Sequence, residues 1–180
     1  MKHDLALRGH AFALRPVELA DAAFIVDLRH AAGAFLNAGA RSADAQRQWL
    51  ANYFLRDDDY YFVIARNGGD AEGLAGIYDV DRAAGTAEWG RFAVRAGSMA
   101  AVEGALLVYR YAFDVLDLRA LRCHTLVGNA QVIAFHDSCG LTRSDSPVSV
   151  RANGIEQAAI EHVLARAHWA AVELCLSASR

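Results

Sequence analysis

Apolar and polar residues alternate through Phe12, Leu14 and Pro16, and then the period changes: Phe24, Ile25, Leu28 and Ala32 fall three or four apart in and just beyond Glu18 to Ala31. Alternation serves a strand and the longer spacing serves one side of a helix, so a short strand followed by a helix is predicted. Gly33 to Gly39 reads as a loop. Ser42 is a candidate N-cap for a helix through Leu55, whose apolar side holds Ala45, Trp49, Ala51, Tyr53 and Phe54. Asp57 to Asp59 breaks that pattern and reads as a solvated turn. Tyr60 to Arg66, Gly73 to Val80 and Thr86 to Arg95 are β-rich runs joined by turns at Asn67 to Asp70 and at Ala83 to Gly85, which predicts a three-stranded antiparallel meander. From Met99 the period lengthens again: Met99, Val102, Leu106, Tyr109, Phe113 and Leu116 recur every three or four, with Glu103, Arg110, Asp114 and Asp117 covering the other side thinly. That helix should be mostly buried. Leu121 to Val127 reads as a strand, Asn129 to Cys139 as a helix stopped by Gly140, Ala158 to Ala165 as a strand with Ala158, Ile160, His162 and Leu164 on one face, and the end as a helix around Trp169. Val148 to Arg151 remains open between strand and loop.

Composition narrows the class. The 180 residues hold one hydrophobic core comfortably, and no repeat or Pro- or Ser-rich linker divides them, so a single domain over 1–180 is expected, with its core at about 11–170. The 54% hydrophobic content is inflated by 37 alanines, and 22% charged residues is near the ordinary soluble level of roughly 25%, which excludes a disordered tail. A net charge of −3 gives no bulk attraction for nucleic acid or an anionic membrane. Lys2 is the one lysine beside 17 arginines, so chemistry that needs an internal lysine is excluded. No stretch approaches the roughly 18 uninterrupted apolar residues of a membrane span. Three cysteines, Cys123, Cys139 and Cys175, and no signal-like apolar run in Met1 to Arg15 point to a reducing cytoplasm, with the cysteines as buried small apolar residues.

The sharp motifs of nucleotide hydrolysis, dinucleotide binding and zinc sites are absent, and no metal is expected. His136 to Gly140 copies only half of a nucleophile elbow and ends a helix, which argues against a serine hydrolase. The informative segment is Val94-Arg95-Ala96-Gly97-Ser98-Met99-Ala100-Ala101, where a strand passes through small residues into the long helix. A helix start exposes unpaired N–H groups and about half a positive charge, so it binds phosphate without lysine. Gly97, Ala100 and Ala101 would let a pyrophosphate approach, and Arg95 would add a charge-assisted bond. An ordinary helix cap built on Ser98 explains the same residues.

Together these segments resemble the GNAT superfamily of acetyl-CoA-dependent N-acetyltransferases. Arg95 to Ala100 resembles its phosphate loop, usually Gln/Arg-x-x-Gly-x-Gly/Ala, with the middle glycine one place early at Gly97. Tyr111 to Leu118 resembles the end of the helix that follows. Asn129-Ala130-Gln131-Val132-Ile133-Ala134-Phe135-His136-Asp137-Ser138-Cys139-Gly140-Leu141 resembles the family's Asn-x-x-Ala-Ile-x-x-Tyr-x-x-x-Gly-Phe. Ile160 to Leu164 with Trp169 resembles the branch of ribosomal-protein N-terminal and nucleotide-amino-sugar acetyltransferases. The resemblance spans about residues 11–170.

It implies an α+β (α/β) fold: a mixed, mostly antiparallel twisted sheet of about six to seven strands flanked by helices. It implies acetyl-CoA as co-substrate, with Phe92, Val94, Arg95, Gly97, Ser98, Met99, Ala100, Ala101 and Asn129 binding it, and a cleft where the strand ending at Val94 diverges from the one near Leu126. Gly90 would mark a bulge at that cleft. Glu88, expected on one face with Gly90, Phe92 and Val94, matches an acidic position that serves as base, and would otherwise be an exposed or arginine-paired carboxylate. His136 stands where the family has tyrosine, the proton donor to the leaving thiolate; an imidazole there would serve as acid, base or packing. Asn129 would contact pantetheine or cap its helix. His124 lies in a strand with no partner visible. Phe35 to Arg41, Trp49 and Tyr78 fall where the acceptor pocket is expected. The function implied is N-acetylation of a small polar amine such as a nucleotide-linked amino sugar. A protein N-terminus is the second acceptor, a non-catalytic acyl-CoA-binding module is the rival, and a homodimer is left open.

Overall fold

The computed structural model describes residues 5–36 and 39–179. Lys2 and, in the expected acceptor loop, Asn37 and Ala38 lie outside them. Strands β1 (Leu7–Arg8) and β2 (Phe12–Pro16) precede α1 (Ala22–Ala31) and α2 (Ala43–Tyr53), and the meander follows as β3 (Tyr60–Arg66), β4 (Ala71–Asp81) and β5 (Thr86–Val94). Then come α3 (Ala100–Arg110), β6 (Ala120–Leu126), α4 (Ala130–Ser138), β7 (Thr142–Arg143), β8 (Val148–Ala152), β9 (Ile155–Ala165) and α5 (Arg166–Ala178). Among the described residues all nine strands belong to one sheet, ordered β1-β2-β3-β4-β5-β6-β9-β7 with β8 beside β9. Every pairing is antiparallel except β5 with β6. The two strands beyond the expected seven, β1 and β7, are two residues each, too short to leave a period in the sequence.

The sheet separates two cores. On one face Ile25 and Leu28 of α1 and Leu50 and Tyr53 of α2 pack on Tyr61, Val63, Leu74 and Ala93. On the other, α3 and α5 bring Leu106, Tyr109 and Trp169 onto Phe62, Ile64, Trp89 and Leu121. Each fully buried large side chain contributes roughly 1.5–3 kcal/mol of gross hydrophobic stabilisation. Central β3 is buried on both faces from Tyr60 to Ala65, which is why it reads as an apolar run. Ser42 caps α2 as expected, accepting from the Ala45 N–H at 3.2 Å.

Helix α3 is buried nearly all round, Glu103 included: its carboxylate accepts from the backbone N–H groups of His10 and Ala11 and so ties the β1–β2 turn to the helix. The expected run to Leu116 ends in a π-helical turn, Tyr111–Val115. The Arg166 guanidinium is bound there, donating to the Leu118 and Phe113 carbonyls and to Asp117. The Asp57 to Asp59 run is not simply solvated. Asp59 is 3% exposed and holds Arg91 in a two-pronged pair at 2.6 and 2.9 Å. Of the cysteines, Cys123 and Cys139 are buried as expected, but Cys175 is exposed on α5.

Candidate active site

The parallel pairing of β5 with β6 covers Thr86↔Ala120, Ala87↔Leu121 and Glu88↔Arg122, and ends there. Beyond it β5 stays with β4 up to Gly73↔Val94, while β6 stays with β9 up to Leu126↔Ala159, so the two strands separate into a fork. A bulge sets the geometry. Gly76 pairs with Gly90 and Leu74 with Ala93, which leaves one extra residue on β5, and Arg91 takes it up at φ 51°. The expected bulge is therefore present, but its left-handed residue is Arg91, held by Asp59 and by the Tyr78 ring 4.6 Å away. Gly90 serves a close approach instead: a Cβ there would lie 2.6 Å from the Tyr78 hydroxyl oxygen.

The bulge also corrects the expected face. Ala87 and Trp89 point to the α3/α5 core, and after the extra residue it is Phe92 and Val94 that do so, while Ala93 turns to the α1/α2 core. Glu88 points away from Trp89. Phe92 and Val94 thus line the face opposite Glu88, because one inserted residue inverts the alternation.

Glu88 sits at the crotch of the fork within a chain of polar groups. The Tyr78 hydroxyl donates to its Oε1 at 3.0 Å, its Oε2 is 3.2 Å from Nδ1 of His124, and Nε2 of His124 is 3.3 Å from Oε2 of Glu161. Strand register brings these residues together, with His124 opposite Glu161 and Glu88 opposite Arg122, two residues before His124 on the same face of β6. Burial works to raise the Glu88 pKa, but the bond to His124, its charge, the Tyr78 hydroxyl and Arg122 together hold the carboxyl below its usual range. His124 is pushed up from 6.5, first by its bond to Glu88 and against its own burial. The sequence placed His124 in a strand with no visible partner and gave Glu161 no role at the site. Alternation within each strand was visible, but the register that sets three strands side by side was not.

His136 lies on the other face. It is 2% exposed, its ring packs edge-on to Trp89 at 5.7 Å and lies 5.1 Å from His162, and its Nε2 is 3.6 Å from Sγ of Cys123. Burial, aided by His162, pushes its pKa down to about 4. His162 is bound through Nε2 to Asp137 at 2.9 Å. The Nδ1 atoms of both rings have no hydrogen-bond partner among the described residues.

The two arms of the fork carry the remaining candidates. Arg95 N–H donates to the Glu72 carbonyl across β4 at 2.8 Å, so the Val94 N–H, one residue earlier, points to the opposite side, into the fork. The loop beyond turns at Gly97, φ 77°, with open space where a Cβ would stand. Met99 holds the N-cap position of α3 without a side-chain capping bond, and Ser98, one residue earlier, accepts through Oγ from the Ala100 N–H at 3.1 Å, so the turn also supports the helix start. Met99 is 82% exposed, Ala101 half-buried, and the Ala100 methyl faces the core. Arg95 folds back: its Nε donates to the Ala71 carbonyl at 2.9 Å and its guanidinium lies over Phe24. On the other arm Asn129 holds the N-cap position of α4 without a capping bond from its side chain. Phe35, half-exposed, reaches the β6–α4 loop, 3.7 Å from where a Gly128 Cβ would be. Trp49 and Tyr78 both flank Arg91.

The family profile described as acetyltransferase (GNAT) domain matches residues 12–142. The chain belongs to the GNAT acetyltransferases. This GNAT is an acyltransferase, of a family that uses acetyl-CoA as co-substrate. Solved structures extend the likeness through β9 and α5. A nucleotide-linked sugar GNAT, FdhC in its apo form, superposes with a TM-score of 0.81 at 24% identity, over 97% of this chain and 98% of that one. A variant of the spermidine N-acetyltransferase SpeG from Vibrio cholerae gives 0.77 at 18% identity, over 89% and 96%. The dodecameric Vibrio cholerae spermidine N-acetyltransferase gives 0.75 at 18%, over 88% and 96%. Comparison with curated protein sequences gives no match. Among the described residues no helix is long and apolar enough to cross a membrane, and no group of three or more His, Cys, Asp or Glu could hold a metal ion.

Proposed function

We propose that this GNAT, acting as a single domain, transfers the acetyl group of acetyl-CoA to the primary amine of a small polar acceptor, with a nucleotide-linked amino sugar as first choice. The observation that carries the reading is the fork itself: β5–β6 pairing ends at Glu88, at the crotch where an amine would meet its carboxylate. The residues of the fork fit acetyl-CoA. The Val94 N–H aimed into the fork would bond the thioester carbonyl, whose oxygen gains charge when the amine attacks. Phe92 and Val94 would flank the pantetheine, and Asn129, uncommitted as a cap, would bond it from the other arm. The Gly97 turn, with Ser98, Met99, Ala100 and Ala101 at the α3 start, would cradle the pyrophosphate through backbone N–H groups. Arg95 would contribute from the rim.

A substrate amine attacks only when neutral, and amines of pKa near 8 to 10.4 arrive mostly protonated. Glu88 is the group placed to receive that proton. His136, neutral and buried near pH 7, would serve the departing thiolate as an N–H hydrogen-bond donor. The acceptor choice is supported by the sugar GNAT whose fold matches this chain over nearly its whole length.

The test is thiol release from acetyl-CoA with a panel of amines: a nucleoside-diphosphate-linked amino sugar, spermidine, and peptides with free N-termini. Turnover of the amino sugar is expected. Turnover of peptides or spermidine alone would replace the acceptor. Acetyl-CoA binding with no turnover on any amine would overturn catalysis in favour of a binding module.

A further inference from the structure

We infer that His124 receives the acceptor's proton through Glu88 and passes a proton to Glu161, which hands it on to solvent. The inference deepens the proposed function and rests on its reading of Glu88 as the group that meets the amine. Two carboxylate–imidazole distances carry it: the two nitrogens of one ring each face a different carboxylate, at 3.2 Å toward the fork and 3.3 Å toward β9. The ring and both carboxylates are partly buried, with side-chain exposures of 21% for His124, 20% for Glu88 and 33% for Glu161. Exposure thus rises from the fork outward. Glu161 is fixed in turn, its backbone N–H donating to Ser144 Oγ and its carbonyl accepting from the Ser144 N–H.

The balance needs such an outlet. Acetyl transfer from acetyl-CoA to an ammonium yields an amide, a thiol and one proton, and that proton must leave the fork. The N–H bond of the ammonium breaks as an O–H forms on Glu88. That O–H breaks as Nδ1 of His124 takes the proton with its lone pair. The resulting imidazolium releases a proton from Nε2 to Glu161, and from there to water. Glu88 is a poor final holder, because its carboxyl is kept below the usual range and an amine gives up its proton to such a group unwillingly. The imidazole, raised by Glu88 and Glu161, is nearer to an amine in basicity. The other groups facing this ring system are Arg122 on its own strand, which opposes the positive charge, and Tyr78, which donates to Glu88. His124 acts through Glu88 and is a positioning residue, not a catalytic one.

Nitrogen-15 imidazole titration of the full chain tests the inference without any acceptor. His124 is expected to titrate above 6.5, to fall in Glu161→Gln, and to fall further in Glu88→Gln. Titration at or below 6.5, or no response to Glu88→Gln, would overturn it. Kinetics supply the second readout, with acetyl-CoA and the amino sugar as probes. The acidic limb of kcat/KM should follow the His124 titration, move to lower pH in Glu161→Gln with KM for acetyl-CoA unchanged, and fall into the carboxylate range in His124→Gln with a loss of about tenfold or more. A limb that stays in place in both variants sinks the relay while leaving Glu88 intact. Full turnover in Glu88→Gln would instead sink the reading beneath it. Should His124→Gln fold poorly, Glu161→Gln, at the outer end, still decides the matter.

Discussion

The two faces of the fork handle their titratable groups in opposite ways. On the Glu88 face the site's charges are paired with opposite ones: Glu88 and Glu161 with His124, Arg91 with Asp59. Partners outweigh burial there, so both the carboxylate and the imidazole of the Glu88–His124 pair are shifted toward their charged forms. On the His136 face burial dominates, and the charge that weighs next, that of His162, has the same sign. The imidazole therefore stays neutral. One residue type, on two sides of one sheet and separated by a single strand's thickness, is driven in two directions by whether a carboxylate lies within reach.

Breaking the paired face should cost the most. Asp59→Ala leaves the Arg91 guanidinium, 21% exposed, without its two-pronged partner at the residue that forms the bulge. Removing one member of a buried pair is destabilising by about 3–5 kcal/mol. Urea denaturation should show a loss of that size, and Asp59→Glu should recover part of it. A loss under about 1 kcal/mol would mean that the pair does not hold the bulge, and the contrast between faces would lose its structural basis.

The same pair marks where the sequence stopped being legible. Every long element was readable, because burial on one side imposes a period on its own residues: α3, the meander and β9 all announce themselves. Elements of two residues, β1 and β7, cannot carry a period. What hid the site's details was register. Asp59 looked like a solvated turn because Arg91, its two-pronged partner, lies 32 residues away on β5. One inserted residue at Arg91 turned Phe92 and Val94 to the face opposite Glu88, a reversal that no alternation count over Thr86 to Arg95 could show. His124 and Glu161 were separately unremarkable and became a chain with Glu88 only when β6 aligned them. By contrast, the Gly97 turn and the helix it opens were legible, since glycine at a positive φ and a helix start are local features.

Removing the charge at the crotch comes next. Glu88→Gln keeps the shape of the side chain and its bond from Tyr78 but cannot take up a proton. On the proposed function, kcat/KM for the amine should fall about 10²–10⁴-fold near pH 7, with acetyl-CoA affinity changed no more than about twofold. Isothermal titration with acetyl-CoA alongside thiol-release kinetics separates the two quantities. A fall in coenzyme affinity equal to the fall in turnover would place Glu88 among the binding residues and blur the division between faces.

The neutral face makes its own prediction in pH. His136 binds a proton at about 6.5 when unfolded but only at about 4 when folded, so its contribution is complete above pH 6.5 and is lost as the pH falls toward 4. The loss amounts to about 3 kcal/mol at its limit. Denaturation at pH 7.5 and at pH 4.5 should therefore show wild type losing more than His136→Phe, which has no ring to protonate. Equal losses would mean that the ring is not held neutral by burial. The same variant checks chemistry: an unchanged pH–rate profile with unchanged kcat would remove His136 from any role toward the thiolate.

The smallest effect should come from the arm beyond both faces. Gly97 has φ 77°, and a Cβ there meets nothing within 4 Å, so Gly97→Ala would add backbone strain without a collision. The cost for a residue with a side chain in this conformation is roughly 1 kcal/mol. That is small enough for the chain to stay folded, and the melting temperature should drop by only a few degrees. The informative quantity is acetyl-CoA affinity. If the loop cradles the pyrophosphate through its backbone, even a slight shift of φ misaims the N–H groups and weakens binding several-fold, while kcat at saturating acetyl-CoA stays near wild type. If affinity is unmoved and only stability drops, the turn is a helix cap, and Ser98, already bonded to the Ala100 N–H, is sufficient reason for its shape.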